Sequence, residues 1–491
     1  MSLSRKIAHN TIIQMVGKIF STVLGLFSLA LITRYLGQSG FGEYTTIITF
    51  LTIFAVMADF GLTLVTVQMI SGVDDKIRET KILNNLFSFR LLSIIAFLAL
   101  SPLVLFFMPY SAAIKTGVLI TAAYFIFPAL SQVIIGLLQK RLSMDRAALA
   151  EVLSRLVLIV GILIVWFGNL GLTGILLATV ISGASSFIFH YLFALKFAAI
   201  KCGWDTSLFK EIFRRSWPLA ITIILNLIYL RTDIIFLSLF KGTSEVGLYG
   251  AAYKVVDVLT TLPFMFAGLI LPILTASWLA KKTDYFKTVL QKSFDFMAIL
   301  AIPLIVGGQL LSGPVMTAVA GQEFSQAGAI LKLLIIAVAA IFLGTMFSHA
   351  VIALDKQKKL IGFYAFTSIS SLIAYFILIP RFSYFGAAAV TIYSEVMIAI
   401  FSAYCVFKYG RFIPKFQTVF KAIAASAMMG LAIVLFPKSW QANVWGLITI
   451  IISASAFYGL SLFLIGGIKL SDLKAMSKKS TGAEPFNPSN L

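Results

Sequence analysis

Charge, cysteine and histidine are what this chain has least of. Only 12% of its 491 residues are charged, where a soluble globular domain carries about 25%, so a soluble globular chain is excluded. The two cysteines, Cys202 and Cys405, allow at most one bridge and stand in no C-x-x-C or metal-ligand spacing. That removes a disulfide-stapled scaffold. The three histidines, His9, His190 and His349, are scattered; they offer no metal site and read as packing residues near helix ends. No G-x-x-x-x-G-K-[S/T] occurs, which removes ATP hydrolysis by a P-loop. No connecting segment is long enough for a soluble domain, so a membrane enzyme would lack room for an extramembrane catalytic pocket. Asp74-Asp75 lies beside Lys76 and Arg78 and reads as a solvated loop, not as the metal motif of a glycosyltransferase. No catalytic residue, metal or cofactor is assigned, and the chain is read as a transporter rather than an enzyme.

Apolar length fills the space that these absences leave. The hydrophobic fraction is 60% and mean hydropathy is +0.99. About 20 apolar residues cross a bilayer, and about fourteen such stretches follow one another, from Thr11–Ile32 and Tyr44–Val65 through Trp217–Phe240 and Ala251–Thr275 to Phe416–Phe436 and Val444–Leu464. The fold class expected is an all-α polytopic membrane protein. The N-terminus is basic and then apolar, but the apolar run is long and lacks a small-x-small cleavage site, so it is read as a retained first helix.

The net charge of +20 is mostly topology. With the N-terminus in the cytoplasm, the cytoplasmic segments hold 26 Lys and Arg, including Lys76, Lys140, Lys201, Lys281, Lys356 and Lys408, against 5 on the other side: Arg34, Lys115, Lys241, Arg381 and Lys438. Basic residues concentrate on the cytoplasmic side of membrane proteins, so both termini are expected there and a nucleic-acid partner is excluded. The tail Ser477–Leu491, polar and containing Gly482, Pro485 and Pro488, is expected to be disordered.

A repeat divides the chain. Gly37-Gln-Ser-Gly-Phe41-Gly42-Glu-Tyr44 follows the first span, and Gly242-Thr-Ser-Glu-Val246-Gly247-Leu-Tyr249 follows the seventh. Both read G-x-x-x-[F/V]-G-x-Y and suit tight outward-facing turns, with glycine free to take positive φ and tyrosine at the membrane boundary. Six spans per half is an even number, so the halves share one orientation, a parallel repeat. The divisions expected are an N-terminal six-helix lobe (1–200), a C-terminal six-helix lobe (201–410), two additional helices (411–470) and a cytoplasmic tail (471–491). The longest connection, Lys196–Ser216, falls between the two lobes.

Asn10-Thr-Ile-Ile-Gln14, Arg34-Tyr-Leu-Gly37 with the motif after it, Arg231-Thr-Asp233, and Val246-Gly-Leu-Tyr249-Gly-Ala-Ala-Tyr253-Lys254 resemble polysaccharide transporters. These are the O-antigen-type lipid-linked oligosaccharide flippases of the multidrug/oligosaccharidyl-lipid/polysaccharide exporter superfamily. The resemblance implies a MATE-like arrangement of two lobes around a central cavity, with the last two helices forming a groove for a lipid tail. It also implies movement of an undecaprenyl-pyrophosphate-linked oligosaccharide from the cytoplasmic to the outer leaflet of a bacterial inner membrane. The partners implied are that substrate, membrane lipids, and a glycan polymerase with chain-length regulators. The alternatives are a multidrug/cation antiporter of the same superfamily and a membrane glycan polymerase.

Ionisable groups within spans are costly and mark functional sites by default. Lys18 and Asp59 both stand roughly 10 Å from the cytoplasmic side by helical rise, so they are expected to pair, as a structural tie or as a substrate contact. Arg90 opens the third span and is expected to snorkel to the interface. Arg231, Asp233, Lys254 and Asp257 lie at comparable depth; two cations and two anions either neutralise one another completely or form a charged cavity wall. Glu395 lies near the midplane with no charge in its own helix, a setting that favours the neutral form; it is either a coupling group or a permanently neutral hydrogen-bonder. Glu151 and Arg155, at i and i+4, read as an interfacial pair. The cavity cations expected are thus Lys18, Arg90, Arg231 and Lys254, with Asp59, Asp233, Asp257 and Glu395 balancing them or carrying a coupling ion.

The loop asymmetry generates a direct test. Reporter fusions at Lys140 and Gly168 are expected to lie on opposite sides of the membrane; both on one side would end the fourteen-span arrangement.

Overall fold

The computed structural model describes residues 3–467, and all regular structure among them is helical. The tail Ser477–Leu491, expected to be disordered, lies outside the described residues. In chain order the elements are α1 (Leu3–Asp59), α2 (Leu62–Ser71), α3 (Lys76–Phe106), α4 (Ala112–Lys140), α5 (Met144–Gly168), α6 (Gly171–Ala194) and α7 (Thr206–Phe240). There follow α8 (Thr243–Leu279), α9 (Thr283–Ala320), a 3-10 turn at Gln322–Phe324, α10 (Ala327–Ala353), α11 (Gln357–Gly410), α12 (Gln417–Leu435), the short α13 (Lys438–Ala442) and α14 (Val444–Leu464).

Among the described residues, 11 helical runs are long and apolar enough to cross a membrane. Two of them are double. α1 folds back at Gly37 (φ 64, ψ −175), and α11 at Ser383 (φ 51, ψ −134), so the hairpins expected after the first and eleventh spans shrink to a reversal at one residue. Gly37 takes a backbone conformation that a side chain would resist. With these two runs counted twice and α7 added, every expected span but Tyr44–Val65 falls on a single helix to within two residues.

The helices outrun the apolar stretches because their polar ends are capped and packed. Asp75 accepts from the backbone N–H of Ile77 and Arg78, so one of the two loop aspartates starts α3 ten residues before the third apolar stretch begins. The connection between the proposed halves is equally ordered. Lys201 N–H donates to Asn84 Oδ1 (2.8 Å), Gly203 N–H to Ser88 Oγ (2.9 Å) and Asp205 N–H to Asn85 Oδ1 (2.7 Å), while Lys81 meets Asp205 at 2.6 Å. Lys81 and the Ser207 hydroxyl hold the Asp205 carboxyl well below the usual carboxylate range.

One expected span is discontinuous. The stretch Tyr44–Val65 breaks at Phe60 (φ 49) and Gly61 (φ 79), between α1 and α2. α7 passes so close there that a Cβ on Gly61 would lie 2.7 Å from Leu219 Cβ. Ser93 Oγ donates to the carbonyl of Ala58 (2.7 Å), satisfying a group that the break would otherwise leave bare.

The packing places α1 against α3, α4 and α5 on one side and against α8 on the other; α8, α9, α10 and α11 pack together, and α12 and α14 lie on each other and on α9. The largest apolar core runs through α1 and every helix from α5 to α11, with Phe41, Tyr249, Phe342 and Tyr375 fully buried in it.

The two sequence repeats meet face to face. A Cβ on Gly42 would stand 1.7 Å from the carbonyl oxygen of Thr243, and one on Gly247 would stand 2.1 Å from that of Gln38. Around this crossing of α1 and α8, Ser39 Oγ and Thr243 Oγ1 are 2.6 Å apart, Ser244 Oγ donates to Gln38 Oε1 (2.6 Å), and Gln38 Nε2 donates to the carbonyl of Glu323. Arg34 extends the seam to the carbonyls of Ala318 and Val319 (2.8 and 3.0 Å). The motif expected to make two separate turns makes one contact between the two halves of the sequence.

Gly42→Ala drives a methyl group into a backbone oxygen, so α1 and α8 must part; its melting temperature in detergent is expected to fall. Gly268→Ala on α8, where nothing lies within 4 Å of the added carbon, is expected to hold or raise it, since alanine favours helix over glycine. Equal effects would show that the crossing is not tight.

Candidate functional site

Two cavities open between the helices, and several of the charges of the spans line them. The first, of 480 Å³, is walled by α1, α4, α5 and α6, with Met265 of α8 on its far side. Lys18 Nζ donates to Glu151 Oε1 at 3.0 Å, and Ser21 Oγ donates to the same oxygen at 2.8 Å. This corrects two expectations. Lys18 pairs with Glu151 on α5 rather than with Asp59, and Glu151 does not close on Arg155. Arg155 also lines the cavity, and among the described residues its guanidinium makes no hydrogen bond or ion pair. Tyr44, Tyr124 and His190 complete the wall.

The second cavity, of 300 Å³, is walled by α7, α8, α10 and α11. Arg231 Nη2 donates to Asp257 Oδ1 at 3.1 Å, Lys254 Nζ stands 3.8 Å from Asp257 Oδ2, and the Arg231 guanidinium lies 5.3 Å from the centroid of the Tyr253 ring. The complete pairing of two cations with two anions is therefore corrected: both cations converge on Asp257. Asp233 is fully buried apart from them, accepting from Tyr249 Oη (2.7 Å) and from the N–H of Ile234 (2.8 Å), while Tyr249 Oη also meets Thr391 Oγ1 (3.1 Å). Hydrogen bonds to a carboxylate replace the missing cation.

Glu395 faces this cavity from α11. It is 7% exposed, and its Oε1 has no hydrogen-bond partner. His349 lines the same cavity, with Nδ1 hydrogen-bonded to the carbonyl of Thr345 (2.8 Å); His190 in the first cavity does the same with Ser186 (2.7 Å). A carbonyl only accepts, so each Nδ1 carries the proton and each Nε2 is the ring nitrogen left for other partners. Both histidines read as packing residues in the sequence; the structure places both on cavity walls.

Lys254 bridges the two regions. It lines a narrow gap between α1 and α8, together with Tyr44 and Arg231.

Asp59 and Arg90 line neither cavity. Arg90 sits one residue from the midpoint of α3 and is only 2% exposed, ion-paired with Asp59 and donating to Thr63 Oγ1 at 2.8 Å. Snorkelling is thereby corrected: α3 starts well before the apolar stretch, so Arg90 lies deep. Two of its nitrogens, Nε and Nη1, are buried without partners. The cluster clamps the break in the second span. The sequence held no sign of Arg155 as a cavity residue, since the i, i+4 spacing to Glu151 pointed the other way; only the approach of α1 reveals that Lys18 occupies the carboxylate.

Residues 7–278 match the model of the family described as polysaccharide biosynthesis protein. The probable flippase AglR of Haloferax volcanii is 25% identical over 208 residues, 42% of this chain and 43% of that protein. The putative O-antigen transporter of Shigella dysenteriae is 25% identical over 210 residues, 42% of this chain and 51% of that protein. The matched region spans about half the length of each. Among solved structures, the lipid II flippase MurJ in an inward closed conformation superposes with a TM-score of 0.75 at 18% identity, covering 94% of this chain and 100% of that one. An inward-facing multidrug resistance MATE family transporter of the MOP superfamily gives 0.65 at 15% identity, covering 85% and 99%. These likenesses establish the fold. With more than half of its length under the family model, the chain belongs to the polysaccharide biosynthesis protein family, and its fold is MATE-like.

Proposed function

We propose that this protein carries a lipid-linked oligosaccharide across the membrane, and that the first cavity receives its phosphate-bearing head. The observation that carries this reading is Arg155: a guanidinium lining a 480 Å³ cavity, with no hydrogen bond or ion pair among the described residues and a second cation, Lys18, in the same cavity. Guanidinium binds phosphate oxygens in pairs, and charge-assisted bonds of that kind are strong. Bringing an anion there gives Arg155 a hydrogen-bonding partner without breaking the Lys18–Glu151 pair. The similarity to a flippase and an O-antigen transporter supports the lipid-linked class.

The finer reading is an undecaprenyl-pyrophosphate-linked oligosaccharide moving from the cytoplasmic to the outer leaflet of a bacterial inner membrane, with both termini cytoplasmic and a glycan polymerase and chain-length regulators downstream. Lobes of residues 1–200 and 201–410 rock about the α1–α8 crossing, while residues 411–470 supply two helices beside α9. Glu395, across the second cavity from Arg231 and Asp257, is the coupling group. A drug-cation antiporter fits less well, because an organic cation in the first cavity would face Lys18 and Arg155.

Arg155→Gln is expected to leave protein abundance and melting temperature near wild type, since no internal hydrogen bond or ion pair is lost. It is also expected to slow flipping of a fluorescent lipid-linked oligosaccharide in proteoliposomes by about ten- to hundredfold, the size of a lost charged hydrogen bond of 1.5–3 kcal/mol. Arg155→Lys should recover part of the rate. Wild-type flipping by the Gln variant would overturn the assignment.

Glu395→Gln is expected to fold and to bind substrate but to lose the response of flipping to an imposed pH gradient. A wild-type response would make Glu395 a structural residue.

A further inference from the structure

We propose a carbohydrate-binding cleft on the face opposite the lysine-rich loops, formed where the fold in α11 meets the starts of α8 and α10. This deepens the reading above and rests on it, since it gives the departing glycan a place to dock. The cleft measures 580 Å³, room for a short run of sugar rings rather than for an ion.

Its chemistry is unspent. Glu245, Gln326 and Arg381 all line it, and among the described residues none of their side chains makes a hydrogen bond or ion pair. A carboxylate, an amide and a guanidinium each engage two adjacent hydroxyls through a planar pair of atoms. The aromatic rings of Tyr384 and Phe385, 4.8 Å apart and inclined at 63° to each other, offer apolar faces to the C–H side of a sugar ring. A phosphate headgroup fits less well, because Glu245 offsets Arg381 and leaves the cleft without net positive charge.

The backbone is strained to build it. Ser383 is not glycine yet holds φ 51 and ψ −134, and its hydroxyl is buried with no partner. That reversal brings Arg381 before it and Tyr384 and Phe385 after it onto one wall. Strain of this kind collects at ligand clamps. Gln38 forms the opposite wall, and its amide is already tied to Ser244 and to the carbonyl of Glu323. A sugar hydroxyl that takes over this amide draws it out of the α1–α8 seam, so occupancy favours parting of the two helices.

The test uses the glycan released by mild acid from the host's own lipid-linked oligosaccharide, read by saturation-transfer NMR on the full-length protein in nanodiscs. Wild type is expected to bind it, and sn-glycerol 3-phosphate, the headgroup probe, is expected not to displace it. Gln326→Ala and the double variant Gln326→Ala/Arg381→Gln change exposed side chains without internal partners. They are expected to weaken binding, the double variant by about tenfold, while Arg155→Gln leaves it unchanged. No binding by wild type, equal binding by the double variant, loss in Arg155→Gln alone, or displacement by glycerol 3-phosphate would each overturn the cleft. Flipping assayed in parallel separates the two proposals. Cleft binding without flipping of the lipid-linked form sinks the transport reading and leaves the cleft, and flipping without cleft binding does the reverse.

Discussion

A charge drawn into a bilayer must find a partner, a hydrogen-bond cage or water, since even the mildest insertion scales put a lone one at roughly 2.5–3.5 kcal/mol at a helix centre. The interior of this protein is sorted by that constraint. Arg90 has Asp59 and no cavity, and it holds the broken second span together. Asp233 has no cation and is caged by Tyr249 and the N–H of Ile234. Arg231 and Lys254 share Asp257. Of the charged residues that line the two cavities, Arg155 and Glu395 are left without an ion pair among the described residues, one in each. Groups that the fold leaves unsatisfied in a space large enough for solvent are those free to interact with something that enters.

The second constraint is steric and lies at the α1–α8 crossing. Each glycine of the repeated motif backs onto a carbonyl oxygen of the other copy's helix, at Thr243 and at Gln38. A duplicated sequence meeting itself in this way resembles the self-complementary contact of a two-fold dimer, in which one patch serves both partners. The neighbouring hydroxyls and amides of Gln38, Ser39, Thr243 and Ser244 add hydrogen bonds to a contact that also buries Phe41, Val246 and Leu248. Such bonds exchange with water at modest net cost. A seam of this composition is tight when closed, with polar exchange at its rim and apolar packing beneath it.

How much of this was legible depends on the range over which each signal acts. Apolar length is local, and the last expected span coincides with α14 at Val444–Leu464. Depth is less legible, because hydropathy marks where apolar residues begin, not where a capped helix begins; Asp75 starts α3 so early that Arg90 becomes central. Partner choice is not legible at all from spacing. Lys18 and Asp59 share a depth but not a face, and Lys18 finds Glu151 across 133 residues of sequence. Gly42 and Gly247 were visible as a repeat, yet nothing in either copy says that its partner is the other copy.

On the proposed reading, the two cavities divide the work by chemistry. The first offers a spare cation beside a closed ion pair, which suits an anion that arrives and leaves. The second offers a spare carboxyl oxygen beside a carboxylate already shared by two cations, which suits a proton or a small cation. Lys254 stands in the gap between α1 and α8, close to Tyr44 of the first cavity wall and Arg231 of the second. Any shift of the α1–α8 crossing changes the setting of Lys254 relative to Asp257, which lines the same cavity as Glu395. Coupling between the sites then needs no long relay. It follows from a single helix pair whose packing both cavities share, with each occupant favouring the packing that leaves its own charge satisfied.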